Sequence, residues 1–169
     1  MLAGKVSDIL ALEYPVMVSP KLDGIRCILL QNTNGGTMAV TRNWNEIPNL
    51  FVRNWLNSNL EPGFDGELMI HGAFNEVTSA IMAQSGEPDF FYAVFDYVGE
   101  DLYKPFVERV AELKKKLAGK NGHVQIVKQV ICHTADELTE FYNTCLKEGY
   151  EGVCVRSLKL TITSKAISR

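Results

Sequence analysis

No run of 18 apolar residues occurs in the sequence, so no segment reads as a transmembrane helix. The N-terminus lacks the basic-then-apolar pattern of a signal peptide. The four cysteines, Cys27, Cys132, Cys145 and Cys154, lie far apart, and no Cys-x-x-Cys or Cys/His ligand spacing is present. That argues against a zinc site or a disulfide framework, and the cysteines read as reduced, buried thiols of an intracellular protein. The three histidines, His71, His123 and His133, are scattered and read as non-catalytic. An excess of positive charge is also missing: 17 Lys and Arg against 20 Asp and Glu give a net charge of −3. Free-standing nucleic-acid binders held mainly by phosphate contacts are usually basic, so that class is disfavoured, while a nucleotide site or a local basic patch stays open. Neither an internal repeat nor a low-complexity linker interrupts the chain. The expectation is a soluble, cytoplasmic protein with no membrane partner.

What is present is globular: 169 residues, 46% hydrophobic and 22% charged, enough for one domain with a real core. Residues 4–13 read as a short helix. Pro15 to Val18, Ile28 to Leu30 and Thr37 to Thr41 read as strands, the last two joined by the turn-forming Asn32-Thr33-Asn34-Gly35-Gly36. Pro48 suits a helix's first turn, and Phe51, Val52, Trp55 and Leu56 share one face of a helix to Asn59. Trp44 and Trp55 read as packing residues. After Pro62-Gly63, a strand from Phe64 to His71 carries Asp65 and Glu67 on one face. Residues 74–84 read as a short helix and 89–98 as an aromatic strand. Residues 105–118 read as an amphipathic helix ending in lysines that suit its dipole. Residues 123–133 read as a strand. Thr134 and Glu137 form a capping box for a helix to about Lys147, and Gly152 to Arg156 returns as a strand. Strands, helices and hairpins mixed in this way predict α+β.

The chain is organised around Lys21-Leu22-Asp23-Gly24-Ile25-Arg26. This stretch places a lysine where two strands meet, with an acid two residues on and an arginine five on. Gly24 lets the backbone turn or approach a ligand closely. Strand alternation sends Arg26 to the face opposite Ile25. A lysine amine is a nucleophile only when neutral, and nearby cations or burial can lower its pKa.

The stretch resembles the Lys-x-Asp-Gly-x-Arg signature of covalent nucleotidyltransferases: ATP-dependent DNA ligases, RNA ligases and capping enzymes. Five further stretches resemble the family's motifs in the family's order. They are Thr41-Arg42-Asn43-Trp44-Asn45-Glu46-Ile47-Pro48-Asn49, Phe64-Asp65-Gly66-Glu67-Leu68-Met69, Phe74-Asn75-Glu76-Val77-Thr78-Ser79-Ala80, Tyr92-Ala93-Val94-Phe95-Asp96-Tyr97-Val98 and Glu151-Gly152-Val153-Cys154-Val155-Arg156. The third resembles a segment of phage-type DNA ligases. The resemblance implies that Lys21 attacks the α-phosphorus of ATP, giving lysyl-AMP and pyrophosphate. It implies a divalent cation, Mg2+ or Mn2+, at Glu151, a hard ion that prefers oxygen ligands. Glu67 and Arg26 match sugar-contacting residues, Phe95 a residue that stacks on the purine, and Val153 one that packs on the opposite purine face. Arg42 matches an arginine that grips the 5′-phosphate of the nucleic acid, for which a guanidinium's forked donors are suited. Asp23, Gly24 and Asp65 are supporting residues. Read from the residues alone, alternatives remain: core packing for Phe95, a solvated helix-end acid for Glu151, and a turn- or loop-stabilising role for Asp65.

Two family features have no match. No Lys-x-Lys follows Arg156, where Lys159 and Lys165 are the only lysines, and no OB-fold domain follows. The expected architecture is an ATP-grasp-like, two-sheet α+β adenylation domain over residues 1–169, truncated at its C-terminal end and of phage or prophage type. The expected function is lysyl-AMP formation for sealing 5′-phosphate/3′-hydroxyl nicks in double-stranded DNA. An OB-fold domain or a partner chain would complete it, and sealing by the chain alone is expected to be very slow. The alternatives are an RNA ligase or capping guanylyltransferase domain, and an inactive nucleotide- or DNA-binding remnant.

Overall fold

The computed structural model describes residues 6–71, 76–120 and 122–161; Phe74, Asn75 and Lys165 lie outside them. Among the described residues the strands are β1 (Val16–Pro20), β2 (Ile25–Gln31), β3 (Thr37–Thr41), β4 (Phe64–Ile70), β5 (Phe90–Tyr97), β6 (Val124–Ile126), β7 (Val130–Cys132) and β8 (Val153–Ser157). The helices are α1 (Leu50–Asn59), α2 (Val77–Met82), α3 (Phe106–Lys116) and α4 (Ala135–Lys147). The strands form a three-stranded sheet, β7-β1-β8, and a five-stranded sheet, β3-β2-β4-β5-β6. Every pairing is antiparallel except that of β5 with β6.

Alternation along the strands gives each sheet a helix-covered face. In the large sheet, Cys27 and Leu29 of β2, Phe64 and Leu68 of β4, and Tyr92 and Val94 of β5 pack with Val52 and Leu56 of α1 and with Val77 and Ile81 of α2. In the small sheet, Val16, Val18, Val153 and Val155 pack with Leu138 of α4. The opposite faces look into the space between the sheets. At one end α3 fills that space, placing Phe106 and Val110 against Met17, Leu158 and Leu160. Arg109 of α3 is 1% exposed. Its Nε and Nη2 donate to the two Asp96 oxygens at 2.8 and 3.0 Å, and Nη1 donates to the carbonyls of Lys104 and Leu160 at 2.7 and 2.9 Å. One guanidinium thereby ties β5, α3 and the segment after β8 together.

The caps explain why two helices start where they do. Asn49 accepts from the Val52 N–H at 3.0 Å and is fully buried, its amide donating to the Gly86 carbonyl at 3.2 Å. This sets the start of α1 at Leu50, two residues later than a proline at the first helical position would. Thr134 accepts from the Glu137 N–H at 3.2 Å, while Glu137 reaches back to the His133 N–H at 2.7 Å, a variant of the capping box that engages the residue before the cap. His123 stacks flat on Phe90 at 4.3 Å, with Trp55 edge-on to both rings. Trp55 and His123 are therefore packing residues.

Two expected elements differ. Residues 6–13 form turns and bends, in which the Asp8 carboxylate accepts the Leu10 N–H at 2.8 Å. Leu10 is 78% exposed, so no apolar face is buried to hold a helix this short. The strand expected over 123–133 is two strands in different sheets. Around the crossing, the Val127 N–H bonds the Val94 carbonyl at 2.9 Å and the Gln129 amide bonds the Phe95 carbonyl at 2.9 Å.

Candidate active site

Lys21 is the first residue of the link that carries the chain from β1 in the small sheet to β2 in the large one. Its N–H bonds the Gly152 carbonyl at 2.9 Å, which holds the link against the turn before β8. That turn presents Glu151, whose Oε2 accepts from Lys21 Nζ. Both side chains are about half exposed, at 50% and 56%. The Glu151 carboxylate raises the pKa of Lys21 above the ordinary lysine value, outweighing the opposing effect of burial. At rest the amine is therefore held as a cation, in contrast to the lowered pKa that a nucleophile needs.

Gly24 has a packing role. A Cβ there would be driven into the Leu68 carbonyl oxygen and the Met69 sulfur, so the glycine lets the link lie against β4. The Gly24 N–H also bonds Glu67.

On the large sheet the cleft-facing residues converge. Arg26 of β2 sits in register with Glu67 of β4, and its Nε and Nη2 donate to the two Asp65 oxygens at 2.5 Å. Asp65 thus orients Arg26, the supporting role left open for it. Burial pushes the Asp65 carboxyl up while the paired guanidinium pulls it back. Burial likewise pushes Glu67 up to about 7, opposed by Arg26 and by the Gly24 N–H. Phe95 of β5 has the Arg26 guanidinium at 4.8 Å from its ring centroid and the Arg156 guanidinium at 4.9 Å. A cavity of about 880 Å³ is lined by Arg26, Glu67 and Phe95 from the large sheet and by Ser19, Cys154 and Arg156 from the small one. Lys21 stands between Pro20 and Leu22, which both border this space.

Three placements depart from the sequence reading. Val153 packs toward α4 with Val16 and Leu138, so it faces away from the cleft; its neighbour Cys154 lines the cavity instead. Arg156, not singled out from the sequence, enters the cleft. Its guanidinium lies 5.3 Å from the Phe106 ring as well as over Phe95, and it donates to Ser19 Oγ at 3.4 Å. Burial lowers its pKa; Cys154 and Asp96 oppose that, and the neighbouring Arg26 adds to it. Trp44 was expected to pack and is 66% exposed. Strand parity was the available signal for the first two: with Val153 and Val155 on the helix side, Cys154 and Arg156 must face the cleft. Arg42 stands exposed on the turn after β3, outside the residues that line the cavity. Asp23 is exposed beside Lys21 and adds to the negative field there. Among the described residues no cluster of three His, Cys, Asp or Glu side chains forms a ready metal cage, and no helix is long and apolar enough to cross a membrane.

Fold and site together define a class: a two-sheet α+β domain with a lysine on the bridge between the sheets, beside a nucleotide-sized cleft. The chain matches the family described as "ATP dependent DNA ligase domain" over residues 1–166, and it belongs to that family. It superposes on the Chlorella virus DNA ligase-adenylate with a TM-score of 0.83 and 28% identity, covering 95% of this chain and 61% of the viral one. A DNA ligase of Acidianus ambivalens is 35% identical over 81 residues, which are 47% of this chain and 13% of that protein. DNA ligase 1 of Methanosarcina mazei is 30% identical over 70 residues, 41% of this chain and 12% of that protein. The matches thus span about an eighth of the curated relatives and under two thirds of the viral ligase. The bacteriophage T7 ligase, solved with ATP, shares the fold at a TM-score of 0.67 with 17% identity.

Proposed function

We propose that this chain is the adenylate-forming part of an ATP-dependent DNA ligase, with Lys21 as its nucleophile and nicked double-stranded DNA as the final substrate. The observation that carries the reading is the convergence of Arg26, Glu67 and Phe95 on one cleft wall with Lys21 and Glu151 at its edge. ATP enters with its purine against Phe95, displacing a guanidinium that now lies over that ring, and its sugar hydroxyls toward Glu67 and Arg26. Among the described residues no carboxylate pairs with the Arg156 guanidinium, whose donors are available to acceptor atoms of the nucleotide.

For Lys21 to react, its Nζ must first release a proton, and Glu151 is the carboxylate in place beside it. The free lone pair then forms the N–P bond as the bond from the α-phosphorus to the bridging oxygen breaks, and pyrophosphate leaves with the electron pair. Glu151 fits a divalent cation, Mg2+ or Mn2+, because it is exposed and offers hard oxygen donors. With no three-residue cage nearby, such an ion would share its shell with water and substrate oxygens. When bound, it would supply charge neutralisation at the phosphates.

The test is incubation with α-labelled ATP and magnesium, followed by a denaturing gel. The wild-type chain should carry the label, and Lys21→Ala and Lys21→Arg should carry none, since a guanidinium stays protonated. Label surviving in either variant would move the nucleophile elsewhere. Labelling by GTP instead of ATP would favour a capping-type enzyme.

A further inference from the structure

Trp44 sits on the turn between β3 and α1. The Thr41 N–H bonds the Asn45 carbonyl at 2.7 Å, the Trp44 N–H bonds the Thr41 carbonyl at 3.0 Å, and Val40 bridges to Glu46. This tight closure puts Trp44 at φ 66°, the one non-glycine residue in the left-handed region among those described. Glycine or asparagine adopts that conformation readily, whereas a bulky aromatic there is strained. Burial does not offset the strain, because the side chain is 66% exposed. The indole borders the cleft at its rim, as do Ile28 and Leu30 of β2. Two residues earlier, Arg42 projects from the same turn. The nearby acid, Glu46, is already engaged by Arg53 at 2.9 Å.

We propose that Trp44 stacks on a nucleotide flanking a DNA nick, steadying the broken end. This rests on the DNA-ligase reading above. A nick interrupts base stacking, so the flanking nucleotide offers a face that continuous duplex does not. Stacking on an aromatic ring is tolerant of base identity, as sealing of any nick requires. The net charge of −3 gives no general attraction to phosphates, so grip has to come from local contacts of this kind.

The experiment titrates the 169-residue chain into a fluorescein-labelled duplex bearing one 5′-phosphorylated nick, at low salt. Binding is read from DNA anisotropy. Exposure of Trp44 is read from iodide quenching, as the difference between wild type and Trp44→Phe. The expected result is binding with Trp44 shielded, Trp44→Ala weaker by about tenfold and Trp44→Phe close to wild type. Trp44→Gly, which suits the positive φ, should bind as weakly as the alanine variant and melt at a higher temperature. If DNA binds while Trp44 stays open to iodide and Trp44→Ala binds normally, the contact is refuted and the ligase reading stands. If Trp44→Gly binds weakly but also melts lower, the indole acts by holding the fold, and the proposal fails. If wild type leaves the anisotropy unchanged, the DNA reading falls and takes this proposal with it.

Discussion

Glu67 keeps its proton to about pH 7 in the folded chain, against an ordinary value of 4.5. Between those values the folded state holds more protons than the unfolded one, so stability falls as pH rises. The contribution is full below about pH 4.5 and is lost as pH passes 7. Asp65, also raised by burial, works with the same sign. Urea unfolding at pH 5, 6, 7 and 8 should therefore show declining stability in the wild type. Glu67→Gln should flatten that slope and gain at most about 3 kcal/mol at pH 8; parallel curves for the two proteins would refute the assignment. At this scale much was legible in advance. Lys21, Arg26, Glu67 and Phe95 could be picked out because each side chain suits a distinct task and strand alternation puts Arg26 on the cleft side. The faces taken by Val153 and Cys154 depended on where β8 begins, and one residue of offset reverses every side chain. The exposure of Trp44 depended on a turn whose closure the residue types did not announce, since tryptophan is disfavoured at a positive φ.

Among the elements, α3 has the most direct influence on the cleft. Its Arg109 joins Asp96 of β5 to the carbonyl of Leu160, next to the residues that hold Arg156. Removing the guanidinium leaves Asp96 buried without its partner, and breaking such a pair costs about 3–5 kcal/mol. Arg109→Ala should lose stability by that amount in urea. It should also speed amide exchange at residues 158–160 more than in α1. Unchanged exchange at 158–160 would mean that the apolar contacts of Leu158 and Leu160 suffice to hold the segment. The helix pattern of α3 was readable from its apolar spacing, as was α1 from its own, while α4 was announced by the Thr134–Glu137 pattern at its start. The division of 123–133 into β6 and β7 was not, because both halves are strand-like and the switch of sheet depends on partners distant in sequence. Residues 6–13 misled for the opposite reason: local propensity suggested a helix, and no surface was there to receive it.

For the molecule as a whole, the two sheets close on one cleft, and a nucleotide that touches both walls must bind the folded state alone. ATP with magnesium at a hundred times its Kd should add about 2.7 kcal/mol, a rise in melting temperature of about 5–10 °C for a chain of this size. Phe95→Ala should lose most of that rise. A wild-type melting temperature indifferent to ATP would argue against a nucleotide cleft, whatever the family.

The small sheet is assembled from segments far apart along the chain: Val16 of β1 pairs with Cys132 of β7 on one side and with Ser157 of β8 on the other. The large sheet grows mainly from neighbours in sequence, β2 with β3 and β4 with β5. Local pairings form early, and pairings that close long loops form late. On the ribosome, β1 emerges first and waits without a partner until β7 and then β8 have been synthesised. The Gly152 carbonyl that fixes Lys21, and the Glu151 that meets its amine, arrive with that last strand. A nascent or half-folded chain thus has the lysine but not its setting, so on the proposed function Lys21 should become competent only once β8 has docked.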